Sequence, residues 1–231
     1  MTAYHHQFLE YLDQWINDLP ARSLPDLCPQ PQKTALFSVD VTNGFCTQGP
    51  LSSPRVQKIV APITKLMTGA WHHGIKDIVL TQDTHEPDAV EFGSYPPHSI
   101  RGTEEAETVP EIKSLPFYTQ MITQEKNSIN PGMNAAFAEW MTAHPDVDTF
   151  IVVGDCTDLC IYQLAMHLRV DANARQMQRR VIVPADCVDT YDMPVETAAE
   201  IGAMPHDAEL MHAIFLYHMA LNGIEIVKSI N

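Results

Sequence analysis

The segment that decides the fold is TFIVVGDCTDLC, residues 149–160. Residues 149–153 form a short apolar run rich in β-branched side chains, which is typical of a buried strand. Helical periodicity begins at once, over residues 158–176, so the segment predicts a strand that passes directly into a helix. A strand followed by a helix is the repeating unit of a parallel α/β sheet.

The same alternation extends to both sides of this segment. Five further apolar runs predict strands, at residues 35–41, 77–82, 120–124, 180–184 and 223–227. Helical periodicity separates most of the strands, at residues 56–72, 132–142 and 206–221. The sequence therefore predicts an α/β fold with a doubly wound, Rossmann-like, six-stranded parallel sheet and helices on both faces.

Two segments do not fit the alternation. Residues 83–115 are rich in Pro, Gly, His and Glu and are too long for an ordinary connection, so we expect a functional or partly disordered loop. Residues 5–19 have helical periodicity and are followed by a Pro-rich stretch. We therefore divide the 231 residues into an N-terminal helical extension, residues 1–31, and one larger α/β domain, residues 32–231.

The negative net charge argues against two classes of binding partner, nucleic acids and anionic membranes. The chain has 14 Lys and Arg against 29 Asp and Glu, a formal net charge of −15, which disfavours binding to nucleic acids and anionic membranes. It has no apolar run of about 18 residues and no signal-peptide pattern, so we expect a cytoplasmic protein. Five cysteines do not make a disulfide framework, and a special cysteine in a reducing compartment is catalytic or metal-bound more often than paired.

Polar residues follow four of the predicted strands. Asp40 closes the first strand, Asp83 with His85 the second, Lys126 the third, and Cys160 opens the helix after the fourth. Because ligands bind outside the carboxyl ends of parallel strands, we expect these side chains to meet at one edge of the sheet.

Cys160 is the candidate nucleophile. A thiol in the first turn of a helix feels the positive end of the macrodipole, and Lys126 nearby would add to it, so we expect a thiolate near neutral pH. Asp40 would exchange the proton with the thiol and the leaving group. Two other interpretations remain open at this stage: a buried structural Cys160, and a redox pair of Cys156 with Cys160.

A candidate metal site lies in and before the long loop. Asp83 and His85 are two residues apart in extended chain and point the same way, and His98 after two prolines supplies a third ligand. The alternative is a chance Asp-x-His pair with a turn-capping His98. Six further histidines show no such convergence and are expected on the surface: His5, His6, His72, His73, His144 and His212.

With these residues identified, the chain resembles the isochorismatase-like cysteine hydrolases, and among them the nicotinamidases, over about residues 33–228. The motif Gly-x-x-Thr-Asp-x-Cys at residues 154–160 is highly specific in this setting. The resemblance also rests on VDVTNGF (39–45), GPL (49–51), TQDTH (81–85), YPPHSIRGT (95–103) and EK (125–126).

The resemblance implies a catalytic triad of Asp40, Lys126 and Cys160. It also implies a cis peptide between Asp155 and Cys156, with the backbone N–H groups of Cys156 and Cys160 forming the oxyanion hole. Nicotinamidases bind zinc or a similar divalent ion, here through the residues Asp83, His85 and His98. By the same resemblance we expect a homo-oligomer.

Substrate contacts are expected from Phe45, Tyr95 and Leu159. Tyr95 stands where a Trp is common in the family, and Leu159 stands where a Tyr is often found, so the walls of the pocket have changed. Glu91 and Arg101 add charges to the metal loop, and their partners do not follow from the sequence.

We therefore predict a hydrolase that cleaves a small-molecule amide, releasing ammonia through a thioester intermediate. One alternative is a metal-independent member of the same family that acts on a carbamoyl or ureido substrate. The other, from a different class, is a thiol redox or binding module without hydrolysis.

Overall fold

The computed structural model describes residues 3–231, and over this range the central sheet is parallel, as predicted, but contains seven strands rather than six. The strands are β1 (Ala21–Arg22), β2 (Thr34–Val39), β3 (Asp77–Asp83), β4 (Ile122–Lys126), β5 (Thr149–Asp155), β6 (Arg180–Pro184), β7 (Val188–Asp189), β8 (Glu225–Val227) and β9 (Ser229–Ile230). The main sheet has the strand order β4-β3-β2-β5-β6-β8, with β7 beside the end of β5. The seventh strand, β7, escapes prediction because two residues are too few for a hydrophobic pattern.

The strand order reverses between β2 and β5, which lie side by side at the centre of the sheet. From this point β3 and β4 extend to one side, and β6 and β8 to the other. Such a switch point is where open α/β sheets bind ligands, outside the carboxyl ends of the strands. The position of the site therefore follows from the topology.

The longer helices occupy the predicted places, and four shorter helices are additional. The helices are α1 (Ala3–Asn17), α2 (Leu24–Leu27), α3 (Asn43–Cys46), α4 (Pro54–His73), α5 (Pro110–Lys113), α6 (Ala135–Ala143), α7 (Tyr162–Ala174), α8 (Val195–Ile201) and α9 (Ala208–Leu221). The additional helices are the seven-residue α8 and the four-residue α2, α3 and α5. The helix α7 begins later than residue 158 because a π-helical turn, Thr157–Ile161, precedes it. Among residues 3–231, no helix is both long and apolar enough to span a membrane.

The central strand β5 is covered on both faces. Ile151 and Val153 belong to the core that contains the buried side of α4, whereas Phe150 and Val152 belong to the core that contains residues of α6, α7 and α9. All four side chains are fully buried. This alternation confirms the prediction of helices on both faces of the sheet.

The N-terminal helix packs on the C-terminal part of the chain. The rings of Phe8, Tyr11 and Trp15 in α1 surround the ring of Tyr217 in α9, with centroid distances of 5.7, 5.9 and 5.2 Å. In addition, β1 pairs in parallel with β9. The division of the chain at residue 31 stays a prediction.

The long loop after β3 is ordered by a backbone pairing with itself. The N–H of His85 donates to the carbonyl of Ser99 at 3.0 Å, and the N–H of Arg101 donates to the carbonyl of His85 at 2.9 Å. This bridge returns the chain to its starting point and places His98 beside His85, with ring centroids 4.7 Å apart. The loop therefore serves to bring two imidazoles together.

Gly154 is required where β5 passes β2. Its φ is +115°, and a Cβ there would lie 2.0 Å from the carbonyl oxygen of Val39. We expect Gly154→Ala to lower the free energy of unfolding by about 3 kcal/mol or more, because strain and a backbone clash add. Urea unfolding measures the difference.

Gly69→Ala is the matched control for this change. Gly69 lies inside α4 with no atom within 4 Å of its hypothetical Cβ, so alanine should stabilise the protein by about 0.5–1 kcal/mol. A Gly154→Ala protein that unfolds at the wild-type urea concentration contradicts the explanation.

Candidate active site

Four strand ends deliver the predicted groups to one edge of the sheet. Asp40 follows β2, Asp83 ends β3, Lys126 ends β4, and Cys160 lies in the π-helical turn after β5. Asp83 and Lys126 are neighbours in the strand register. All four side chains are buried, so this edge contains a cluster of ionisable groups shielded from bulk water.

The ammonium group of Lys126 lies at the centre of the cluster. Its Nζ is 2.8 Å from Oδ2 of Asp40, 2.5 Å from Oδ1 of Asp83 and 3.6 Å from Sγ of Cys160. The backbone N–H of Asp83 donates to Oδ1 of Asp40 at 2.7 Å. One cation thus contacts two carboxylates and a thiol, which fixes the mutual positions of all three.

The pKa values of the two buried carboxyl groups are shifted in opposite directions. Burial and the negative charge of Asp83 raise the pKa of Asp40 to about 6, although Lys126 works against the rise. At Asp83, burial opposes ionisation, but Lys126, His85 and His98 outweigh it and lower the pKa well below the usual value. Asp83 is therefore held as a carboxylate, whereas Asp40 can take up and release a proton near neutral pH.

Burial opposes the expected ionisation of Cys160, which stays a prediction. Burial raises the pKa of the Cys160 thiol well above the ordinary value; Lys126 lowers it, and the charges of Asp40 and Asp83 raise it further. The π-helical turn Thr157–Ile161 runs without a break into α7, so Cys160 does lie in the opening turn of a helix, as expected. Because burial works against ionisation of the thiol, the thiol needs a proton acceptor beside it.

The turn that carries Cys160 begins at an unusual bond. The peptide between Asp155 and Cys156 is cis, as the family resemblance implied. The N–H groups of Leu159 and Ile161 donate to the carbonyl of Cys156 at 3.0 and 3.1 Å. We define Thr157–Ile161, with Cys160 in it, as the nucleophile turn.

Two histidines from the C-terminal part of the chain hold the nucleophile turn. His212 Nδ1 lies 2.8 Å from Oγ1 of Thr157, and His206 Nε2 lies 2.8 Å from Oδ2 of Asp158. The expectation that His212 is a surface residue is wrong. Neither contact leaves a signal in the sequence, because the partners are 55 and 48 residues apart.

Asp83, His85 and His98 form a buried group whose ligand atoms all lie within 4.8 Å of one another. His85 Nε2 is 3.7 Å and His98 Nε2 is 3.8 Å from the carboxylate of Asp83. His98 Nδ1 contacts the carbonyl of Pro96 at 2.8 Å, which turns Nε2 toward Asp83. Both ring nitrogens of His85 are buried without a hydrogen-bond partner among the described residues.

This arrangement fits a divalent metal ion. One carboxylate and two imidazoles are a donor set found at catalytic sites, and a second hydrogen bond such as that of His98 commonly orients a metal-binding imidazole. A buried imidazole without partners costs free energy unless a ligand satisfies it, and His85 is such a group.

A pocket of about 420 Å³, including its open mouth, leads to Cys160 and Asp40. The three predicted substrate contacts, Phe45, Tyr95 and Leu159, all line it. Sequence reasoning missed three further apolar or aromatic walls, Leu51, Ile129 and Tyr191. The shape and composition suit a small ligand with a flat apolar body and one reactive polar group.

The two charged residues of the loop have different locations. Glu91 lines the pocket, and burial together with the charge of Asp83 raises its pKa. Arg101 lies at the surface, where it pairs with Glu86 at 2.7 Å and with Glu125. Arg101 therefore belongs to a surface ion-pair network rather than to the pocket.

The sequence model of the isochorismatase domain matches residues 34–213. The chain belongs to the isochorismatase family. The family predicted from the motifs is therefore confirmed, and the matched region contains the strands and loops that carry the cluster around Lys126.

Two curated proteins that are similar to this chain carry a nicotinamidase name. Nicotinamidase 1 of Arabidopsis thaliana is 31% identical over 229 residues, covering 90% of each chain. The nicotinamidase of Acinetobacter baylyi is 27% identical over 186 residues, covering 68% of this chain and 82% of its own.

Solved isochorismatase-family structures confirm the fold. The pyrazinamidase/nicotinamidase of Streptococcus mutans superposes with a TM-score of 0.66 and 21% identity, covering 84% of this chain and 99% of its own. The N-carbamoylsarcosine amidase of Thermoplasma acidophilum superposes with a TM-score of 0.63 and 23% identity, covering 85% and 96%.

Proposed function

We propose that this isochorismatase-family protein is a nicotinamidase-like cysteine hydrolase that cleaves a small carboxamide to a carboxylic acid and ammonia. The observation that carries the proposal is the Lys126 ammonium, 2.8 Å from Asp40 and 3.6 Å from the Cys160 sulfur. The similarity to curated nicotinamidases supports the same reaction class.

The first half of the reaction forms a thioester. Asp40 takes the thiol proton of Cys160, and the sulfur attacks the carbonyl carbon of the substrate. The N–H groups of Cys156 and Cys160 are proposed to stabilise the oxygen that becomes negative. Asp40 then returns the proton to the nitrogen, the C–N bond breaks, and ammonia leaves.

The second half is the same route with water. Asp40 takes a proton from a water molecule, and the oxygen of that water attacks the thioester carbon. The Cys160 sulfur then leaves and regains the proton from Asp40. Lys126 stays protonated throughout: burial opposes its charge, but Asp40 and Asp83 raise its pKa well above the usual value. Its role is to hold Asp40 in place and to stabilise the negative sulfur.

A divalent ion, zinc by its donor set, is proposed to be held by Asp83, His85 and His98. When bound, it supplies a Lewis acid beside the pocket, for a lone pair of the substrate or a water molecule. Phe45, Tyr95, Leu159 and Tyr191 are proposed to enclose the body of the substrate. The predicted cytoplasmic location and homo-oligomeric state stay predictions.

A substrate screen that follows ammonia release tests the proposal. We expect turnover of nicotinamide or a related ring carboxamide, and little turnover of N-carbamoyl amines such as N-carbamoylglycine. Dialysis against a chelator should remove about one metal ion per chain and lower kcat/KM by about tenfold or more. Zinc addition should restore both quantities.

His85→Ala and His144→Ala are the matched variants for the metal arm. His85→Ala should contain little metal by elemental analysis, whereas His144→Ala should contain as much as the wild type. Turnover of carbamoyl substrates alone, unaffected by chelator, supports the metal-independent alternative. No turnover of any amide, with a Cys156–Cys160 disulfide under mild oxidant, supports the redox alternative.

A further inference from the structure

Tyr191 is a pocket wall that belongs to neither the triad nor the metal group. It follows β7 and lines the pocket together with Leu159 and Cys160. It is half-buried, and burial, with the nearby Cys156 and Asp158, raises the pKa of its phenol to about 12. The side chain is thus a neutral aromatic surface beside the reacting sulfur.

His206 fixes Tyr191 from behind in three ways. The two rings are stacked, with centroids 4.1 Å apart and planes within 15°. His206 Nδ1 lies 2.8 Å from the carbonyl oxygen of Tyr191. The backbones of Met193 and His206 exchange two N–H···O bonds of 2.8 Å, which close the loop containing α8 and hold His206 under Tyr191.

The same imidazole also holds the nucleophile turn. His206 Nε2 is 2.8 Å from Oδ2 of Asp158, two residues before Cys160, and both side chains are buried. Because a carbonyl only accepts hydrogen bonds, Nδ1 must donate to Tyr191. With Nε2 in contact with Asp158, both ring nitrogens of His206 are engaged.

We propose that His206 is a positioning residue that joins the Tyr191 wall of the pocket to the nucleophile turn. The face of the His206 ring holds the Tyr191 ring, which sets where the ring of a substrate packs. The Nε2 atom of His206 holds Asp158, which sets the orientation of the nucleophile turn and of Cys160. This inference rests on the proposed amide hydrolysis. On this inference, the loop that ends in His206 positions both the pocket wall that contacts the substrate and the sulfur that attacks it.

Two substitutions separate the two roles. His206→Phe keeps a flat ring under Tyr191 but loses both hydrogen bonds, so kcat should fall about tenfold or more while KM stays within about twofold. His206→Gln keeps a donor toward Asp158 but loses the stacked ring, so KM should rise about two- to tenfold with kcat nearly unchanged. Steady-state kinetics on the best substrate measures both.

His144 offers a control with the same types of contact. It stacks on Trp140 at 4.2 Å, its Nδ1 is 2.8 Å from the Trp140 carbonyl, and its Nε2 is 3.7 Å from Asp77. Asp77 begins β3, so this set lies at the opposite end of the sheet from the pocket. His144→Phe and His144→Gln should leave kcat and KM at the wild-type values.

Alkylation of Cys160 by iodoacetamide, followed by mass spectrometry, tests the turn without a substrate. His206→Phe should change the Cys160 rate by about threefold or more, whereas His206→Gln and both His144 variants should keep it. If the wild type cleaves no amide, the proposed function fails, and the alkylation rates still decide the role of His206.

Any one of three results overturns the inference. His206→Phe and His206→Gln could show the same changes in kcat and in KM, His206→Phe could keep the wild-type kcat, or His206→Phe could keep the wild-type alkylation rate. Should His206→Phe not fold, His206→Gln decides alone. A raised KM with unchanged kcat then supports the role, and an unchanged KM overturns it.

Discussion

Replacing Cys160 with alanine abolishes amide turnover, with kcat lower by at least about 10⁴-fold. The reason is that Lys126 Nζ lies 3.6 Å from this sulfur and contacts no other thiol within residues 3–231. The fold should survive, because removing one sulfur atom from a residue at the pocket costs about 1 kcal/mol. Ammonia release and the thermal unfolding midpoint measure the two quantities.

Cys28→Ala is the control for the loss of a buried thiol. Cys28 is 1% exposed and belongs to the core that contains α4, away from the pocket. It should lower the unfolding midpoint slightly and leave kcat unchanged. Full activity in Cys160→Ala, with normal metal content, would remove the nucleophile from the proposed mechanism.

Asp40→Asn should lower kcat by about 10²–10⁴-fold, which is the usual contribution of a positioned proton acceptor. The amide has nearly the same shape as the carboxyl but does not accept the thiol proton. Lys126 keeps Asp83 as a partner at 2.5 Å, so the buried cation is not left alone. Alkylation of Cys160 should slow as well, because the buried thiol loses the group that deprotonates it.

Asp77→Asn tests the same chemical change at the other end of the sheet. Asp77 begins β3 and faces His144 at 3.7 Å, and its replacement should leave both kcat and the alkylation rate unchanged. If Asp40→Asn alkylates at the wild-type rate, another group takes the proton from Cys160, and the assignment to Asp40 is wrong.

The parts of the site that the sequence predicts share one physical basis. Asp40, Lys126 and Cys160 each follow a strand, and parallel strands end at a common edge, so local patterns suffice to bring them together. The same holds for Asp83 and His85. His98 needs the loop to return, and there the Pro-Pro-His motif and the family resemblance supplied what periodicity lacks.

The parts that escape prediction depend on long-range packing. Tyr191, His206 and His212 reach the site through contacts between segments far apart in sequence, and no periodic pattern records such contacts. The burial that raises the pKa of the Cys160 thiol has the same origin, since it comes from packing around the sulfur rather than from the local motif.

The reversal of strand order between β2 and β5 has a consequence for biosynthesis. The proposed metal ligands and the proposed proton acceptor all lie before residue 127, whereas the thiol comes 34 residues after Lys126. A nascent polypeptide that ends between these points therefore lacks the proposed nucleophile. On the proposed mechanism, the reactive centre is complete only when β5 and the nucleophile turn pack beside β2.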